Sequence, residues 1–275
     1  MSVTTIDNAA TTVAPAPVGR FGMVDLIRSE WTKLRTVRST MWTLGVTIIV
    51  GIGISALATA ETAAHWSARS APIDPTQLSL VGTFFCQLVI GVLGVLVMSG
   101  EYGTGTIRAT FAAAPRRPLV LFAKVVVFGA IVLVISEVVA FISFLLGQAL
   151  LTSPAPHASF STPGALTAVA GTGLYLCVIG LFALALATLI RHTAGAISTF
   201  VFLLFFVPLI EEGLPAFMQN AINRYMPLTI GNRIVHATNG GAPFTFSPWV
   251  GLGILCAYTL ALSLVGGCLL ARRDA

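Results

Sequence analysis

The chain has 275 residues, of which 56% are hydrophobic and 9% charged, with a formal net charge of +5 and a mean hydropathy of +0.92. This balance excludes an ordinary soluble domain. Lipid offers no hydrogen bonds, so the backbone must satisfy itself inside helices or a closed barrel. Runs such as 125–136, VVVFGAIVLVIS, lack the alternation of barrel strands, and the expected fold class is all-α, a polytopic membrane helical bundle.

In chain order, residues 1–19 are rich in Ala, Thr and Pro without apolar periodicity and read as a disordered cytoplasmic tail. The basic segment that follows is too long for a signal peptide. Residues 20–40 read as an interfacial connecting helix. Val24, Ile27, Trp31 and Leu34 recur at helical spacing, and Trp31 and Arg35 are the expected anchors at headgroup depth. Glu30 and Arg38 fall inside the apolar arc and blur it, so a cytosolic extension of the first span is the other reading.

Residues 41–275 form a six-helix transmembrane domain, with spans at about 41–60, 78–98, 122–148, 165–190, 194–210 and 247–271. Only Arg191, His192 and Thr193 separate the fourth and fifth spans, which makes those helices antiparallel neighbours. Of the 15 Lys and Arg residues, the only exceptions to one side are Arg69, Arg224 and Arg233, so both termini are expected in the cytoplasm.

The connection Ser99 to Lys124 is the most informative stretch. Thr104 or Thr106 can cap a short helix, Pro115 ends it, and Pro118 suits the first turn of the next. Arg116 and Arg117 are placed at lipid headgroups. Ile107 and Phe111, four apart, share a helix face that either a soluble partner grips or the bilayer covers. Between 208 and 232, apolar pieces are broken by Pro208, Pro215 and Pro227; they form short outer helices or a solvated loop, with Glu211 and Glu212 as a candidate extracellular gate.

Gln87 and Glu137 lie within spans and are candidates for a translocation cavity; Glu137 either faces that cavity or is protonated and bonded to a neighbouring helix. Gln148, at the end of the third span, is equally open. Cys86, Cys177, Cys256 and Cys268 are scattered singly, and His65, His157, His192 and His236 lack the pattern of a zinc helix, so no metal site and no catalytic residue is expected.

Two patches give the chain a resemblance. SEWTKLRTVRSTMW at 29–42, and Glu101 with Gly105, Thr106, Ile107, Arg108, Ala109 and Thr110 followed by Pro115, Arg116, Arg117 and Lys124, resemble the permease subunits of ABC-2 type transporters of the half-size, six-span bacterial kind. The resemblance implies a multi-pass permease in a bacterial plasma membrane, exporting an amphipathic drug, antibiotic or lipid-like substrate. It also implies a second permease subunit, as homodimer or heterodimer, and two copies of an ABC ATPase subunit. By the same resemblance Glu101 stands at the mouth of the second span, while Ile107 to Ala112 belongs to the coupling helix; Glu101, Thr106, Ile107, Arg108, Thr110 and Phe111 are the expected coupling residues. ATP-driven transport needs a phosphate-binding loop ending in Lys, yet Lys33 and Lys124 follow Thr and Ala, so ATP and Mg are expected on the partner and no cofactor on this chain. Membrane lipids are further expected partners and nucleic acid is not. The alternative is a secondary transporter or channel, for which Glu137 alone is the support.

Overall fold

A computed structural model describes residues 22–66, 73–103, 105–106, 117–151, 155–211, 213–237 and 246–272. Among them there are helices and no strands, as the apolar runs require. Helix α1 (Met23–Thr36) is followed after one residue by α2 (Arg38–Ala64). A short α3 (Pro75–Ser79) precedes α4 (Thr83–Gly103). Then come α5 (Arg117–Leu150), α6 (Ala165–Ile190) and α7 (Thr193–Val201). A π-helical turn (Phe202–Phe206) joins α7 to α8 (Val207–Glu211), and α9 (Ala216–Asn223), α10 (Pro227–Val235) and α11 (Pro248–Arg272) complete the fold. Six stretches are long and apolar enough to cross a membrane: α2, α4, α5, α6, the α7–α8 run and α11.

Helix α6 is the centre of the bundle, packed against α4, α5, α11, α10 and α7. Its most apolar window is 72% buried, against 17–33% for the α7–α8 run, α11, α2 and α5. Small residues let neighbours approach it closely. A Cβ added at Gly94 of α4 would lie 2.3 Å from the Gly180 carbonyl oxygen of α6, so the two backbones touch where neither helix carries a side chain.

Helix α2 is turned the other way from a soluble helix. Its buried face carries Thr40, Thr47, Ser55, Thr59 and Thr62, while Trp42, Ile49 and Leu57 are exposed. Thr47 donates to the Thr43 carbonyl at 2.9 Å and Thr59 to that of Ser55 at 2.9 Å, within the helix, while Ser55 Oγ accepts from the Gly82 amide at 3.0 Å. Lipid is as apolar as leucine, so nothing drives the large side chains inward, and small polar ones that permit close packing take their place.

Several boundaries differ from those read in the sequence. The second span begins at Thr83 rather than 78, because α3 intervenes; Asp74 caps it, accepting from the Thr76 and Gln77 amides at 2.9 and 3.2 Å. The helix of the third span begins at Arg117 rather than 122 and, at 34 residues, runs about 50 Å. That exceeds what an untilted crossing of a hydrocarbon core of about 30 Å needs. At the far end Gln148 acts as a clamp. Its Nε2 donates to the Pro75 carbonyl at 2.9 Å and to Ser79 Oγ at 2.8 Å, while its Oε1 accepts from the Ala158 amide at 2.6 Å. The Pro-broken stretch after α8 forms two short helices. Of these α10 packs on α6 through Gly231 against Tyr175 and Ile234 against Gly171, and α9 buries none of its residues. The chain breaks at Val37 (φ −76°, ψ 110°), so α1 does not extend the first span as a continuous rod.

Candidate functional site

The basic end of the bundle holds a closed ring of four charged side chains from three helices. Glu30 and Lys33 lie three residues apart on α1, at 2.7 Å (Nζ to Oε1). The Lys33 Nζ also donates to Glu101 Oε1, near the end of α4, at 2.9 Å. Lys124, two turns into α5, donates to the same Glu101 oxygen at 2.9 Å and to Glu30 Oε2 at 2.6 Å. Each ammonium therefore bridges both carboxylates, and the charges sum to zero. Lys33 and Lys124 are the chain's two lysines.

Burial differs sharply around the ring. The Glu30 and Lys124 side chains are each 3% exposed, Glu101 13%, and Lys33 36%. Charges this deep persist only when paired and hydrogen-bonded. For Lys33, burial works to lower the ammonium's pKa, but the hydrogen bonds it donates to Glu30 and Glu101, with their negative charges, outweigh it and hold the group above its ordinary value of 10.5.

The chain's own logic brings these groups together. The break at Val37 lets α1 fold against α5 instead of continuing α2. Pro118 in the first turn sets the start of α5, which carries Lys124 inside the bundle. Next to Glu101, the Tyr102 ring lies 5.6 Å from the guanidinium of Arg191, so the α6–α7 turn meets the same end of α4. Arg191 itself takes a left-handed conformation (φ 58°) to close that turn.

Glu30 and Lys124 were not among the candidate residues. Glu30 counted as a flaw in the apolar arc of α1, and Lys124 only as the last residue of the patch that carries the resemblance. The signal available was an acidic residue on an otherwise apolar face, and a lone lysine on an arginine-rich border.

The remaining candidates separate. Trp31 (49% exposed) and Arg35 are exposed on α1. Thr106 is exposed and lines the same cavity as Glu101. Ile107, Arg108, Thr110, Phe111, Arg116 and Glu212 lie outside the described residues. Arg117 opens α5 and Glu211 closes α8, with their side chains likewise outside the description. The tail at 1–19 is also outside it. Gln87 is buried and accepts from Tyr175 Oη at 2.6 Å, beside a cavity of about 120 Å³ that Gln77 and Asn232 also line. Glu137 packs instead against Gly173, where an added Cβ would meet its carboxyl carbon at 2.4 Å.

Gly173 and Tyr175 are two residues apart on α6 and so point to opposite faces. Gln87 and Glu137 thus lie against opposite faces of α6. Glu137 does not make the expected bond to a neighbouring helix through Oε2, which is buried without a partner among the described residues. No group of three potential metal ligands occurs among the described residues.

Residues 26–208 match the family described as ABC-2 family transporter protein. The chain belongs to that family. The match takes in all four residues of the charged ring and the first five crossing stretches, and stops short of α9, α10 and α11. A comparison with curated proteins returned no match. This ABC-2 protein is thus a multi-pass membrane transporter component, and the family in general works with an ABC ATPase.

Proposed function

We propose that the chain is the permease subunit of an ABC exporter, moving an amphipathic drug, antibiotic or lipid-like molecule with ATP and Mg held by a separate ATPase. The observation that carries this reading is the position of the charged ring. The segment from Glu101 to Pro118 leaves α4 at one member of the ring, and α5 returns another, Lys124, two turns later. A push on that segment reaches α1 through ion pairs rather than through lipid.

In this reading Thr106, Ile107, Arg108, Thr110 and Phe111 meet the ATPase. The termini and the ring face the cytoplasm of a bacterial cell, as the distribution of basic residues supports. Helices α2, α7, α8 and α11, which bury little against their own chain, offer faces to a second permease copy or a close relative, each copy recruiting one ATPase. Trp31, Arg35, Arg116 and Arg117 anchor the structure at the headgroups, and Glu211 and Glu212 stand near the outer exit.

The test is coexpression with the ATPase encoded beside it, gentle solubilisation and reconstitution in liposomes. The ATPase copurifies, and its turnover is coupled to transport. Ile107→Asp and Phe111→Asp insert normally and retain ATP hydrolysis but lose transport. Absence of the ATPase from the purified complex, or normal transport by both variants, would refute the assignment.

A further inference from the structure

A cavity of about 570 Å³ lies directly against the charged ring, between the α1–α2 break and the second half of α4. Its size falls in the range of small-molecule sites, about 300–1,000 Å³. One end is charged, with Glu30, Lys33, Glu101 and Lys124 in its lining. The walls are apolar, formed by Leu34, Val37, Leu93, Leu96 and Val97, and Val37 (47% exposed) and Leu96 (36%) stand at its opening.

The hydrogen bonds of the ring decide which charge such a site accepts. Both lysines direct their shared bond to the same Glu101 oxygen, Oε1, and each also donates to Glu30. Both Glu30 oxygens are thereby engaged. Glu101 Oε2 accepts no hydrogen bond among the described residues, and the side chain keeps 13% exposure. A carboxylate oxygen is therefore an acceptor that the ring's own hydrogen bonds leave open at the charged end. It attracts an N–H cation and repels an anion.

We propose that this cavity binds a cationic amphiphile, a protonated amine whose ammonium donates to Glu101 Oε2 and whose apolar body lies along Leu93, Leu96 and Val97. As a statement about exported substrate it rests on the permease reading above; as a binding site it does not. Entry runs from the leaflet on the basic side, where a primary amine and its alkyl chain already lie at the depth of the opening. Occupancy sets a third cation beside Glu101 and competes with Lys33 for it, so the ligand acts on the joint between α1 and α4.

The probe is radiolabelled dodecylamine, measured by equilibrium binding to the full chain in phosphatidylcholine nanodiscs at neutral pH, with empty nanodiscs subtracted. A saturable component is expected, displaced by unlabelled dodecylamine at a concentration about tenfold lower than by dodecanoate or dodecanol, the ratio a charge-assisted hydrogen bond supplies. Glu101→Gln weakens binding about tenfold. Leu96→Trp narrows the cavity at its opening, away from the ring, and weakens the saturable component, which keeps the test decisive if the Glu101 variant fails to fold.

Equal displacement by dodecanoate overturns the charge assignment, and unchanged binding to Leu96→Trp overturns the cavity. Neither result touches the exporter reading, since no ATPase is present. Conversely, intact binding by a chain that never retains an ATPase would leave the site standing and remove the exporter.

Discussion

Replacing Lys124 by methionine keeps all but the last atom of the side chain's length and removes its charge from a position that is 3% exposed. Glu30, equally buried, then loses its 2.6 Å partner, and Glu101 loses one of two. Two carboxylates remain with the single ammonium of Lys33, which is itself partly in solvent. Removing one member of a buried pair costs about 3–5 kcal/mol, because the charge left behind is neither solvated nor neutralised. At about 2–4 °C per kcal/mol for a chain of this order, the midpoint of thermal unfolding falls by about 6–20 °C. The double variant Glu30→Met with Lys124→Met removes both buried charges and leaves the Lys33–Glu101 pair at 2.9 Å intact. Apolar replacement of a whole buried pair is often nearly neutral, so the double variant recovers at least half of the loss. The assay is the fraction of detergent-solubilised protein that survives a heating series as a monodisperse peak. A single variant within about 1 kcal/mol of the parent, or a double variant as unstable as the sum of the two singles, would show that the ring is not an energetic unit.

Lys33→Met is expected to cost about 1 kcal/mol or less, because solvent compensates a side chain that is 36% exposed; a loss as large as that of Lys124→Met would refute the ranking by burial. The pKa of Lys33 is raised in the fold, so its stabilising contribution is complete below 10.5 and is lost as pH rises through the higher folded value. Thermal midpoints of the parent and of Lys33→Met therefore stay a constant distance apart from pH 7 to 10 and converge above it, and convergence already near neutrality would contradict the shift. Gly94→Ala sets a methyl 2.3 Å from a backbone carbonyl that no rotamer change can move, costing about 1–3 kcal/mol in the same heating assay, whereas Gly100→Ala, which meets nothing, is tolerated. Tyr175→Phe removes the donor from buried Gln87 at a cost of about 1–2 kcal/mol, and an unchanged midpoint would mean that the 2.6 Å bond does not hold α4 to α6.

The spans were legible because twenty apolar residues in a row leave the backbone no alternative to a helix in lipid. What the pattern could not show was where two helices abut within one apolar run. Leu78 to Val81 is as apolar as the span it precedes, and only Asp74 followed by Pro75, a capping residue and a first-turn proline, marks α3 as separate. At the start of α5 the reverse holds: Pro118 was read as a first-turn residue, yet hydropathy alone delayed the span to 122, which left Lys124 at its edge instead of two turns inside. The charged ring was hidden for a different reason. Glu30 and Lys124 are 94 residues apart, and no local period connects them. Glu30 breaks the apolar arc of α1 because that arc faces protein, where a carboxylate is tolerated once a partner reaches it from another helix.

That placement also explains why charge, rather than leucine, occupies the junction. An apolar core there would be at least as stable, since desolvation consumes most of what ion pairing gains. Apolar surfaces, however, slide past one another with little preference among registers, and lipid competes for them on equal terms. An ion pair at 2.6 Å inside the bundle has one register, and moving α5 against α1 exposes charge to an apolar surrounding. Glu101 lies near the end of the helix from which residues 104–116 depart, and Lys124 lies two turns inside the helix to which they return, so both flanking helices are tied to α1. A partner bearing on residues 104–116 would then move α1, α4 and α5 as one body. Loss of Lys124 should accordingly weaken transport more than ATP hydrolysis in the reconstituted pair.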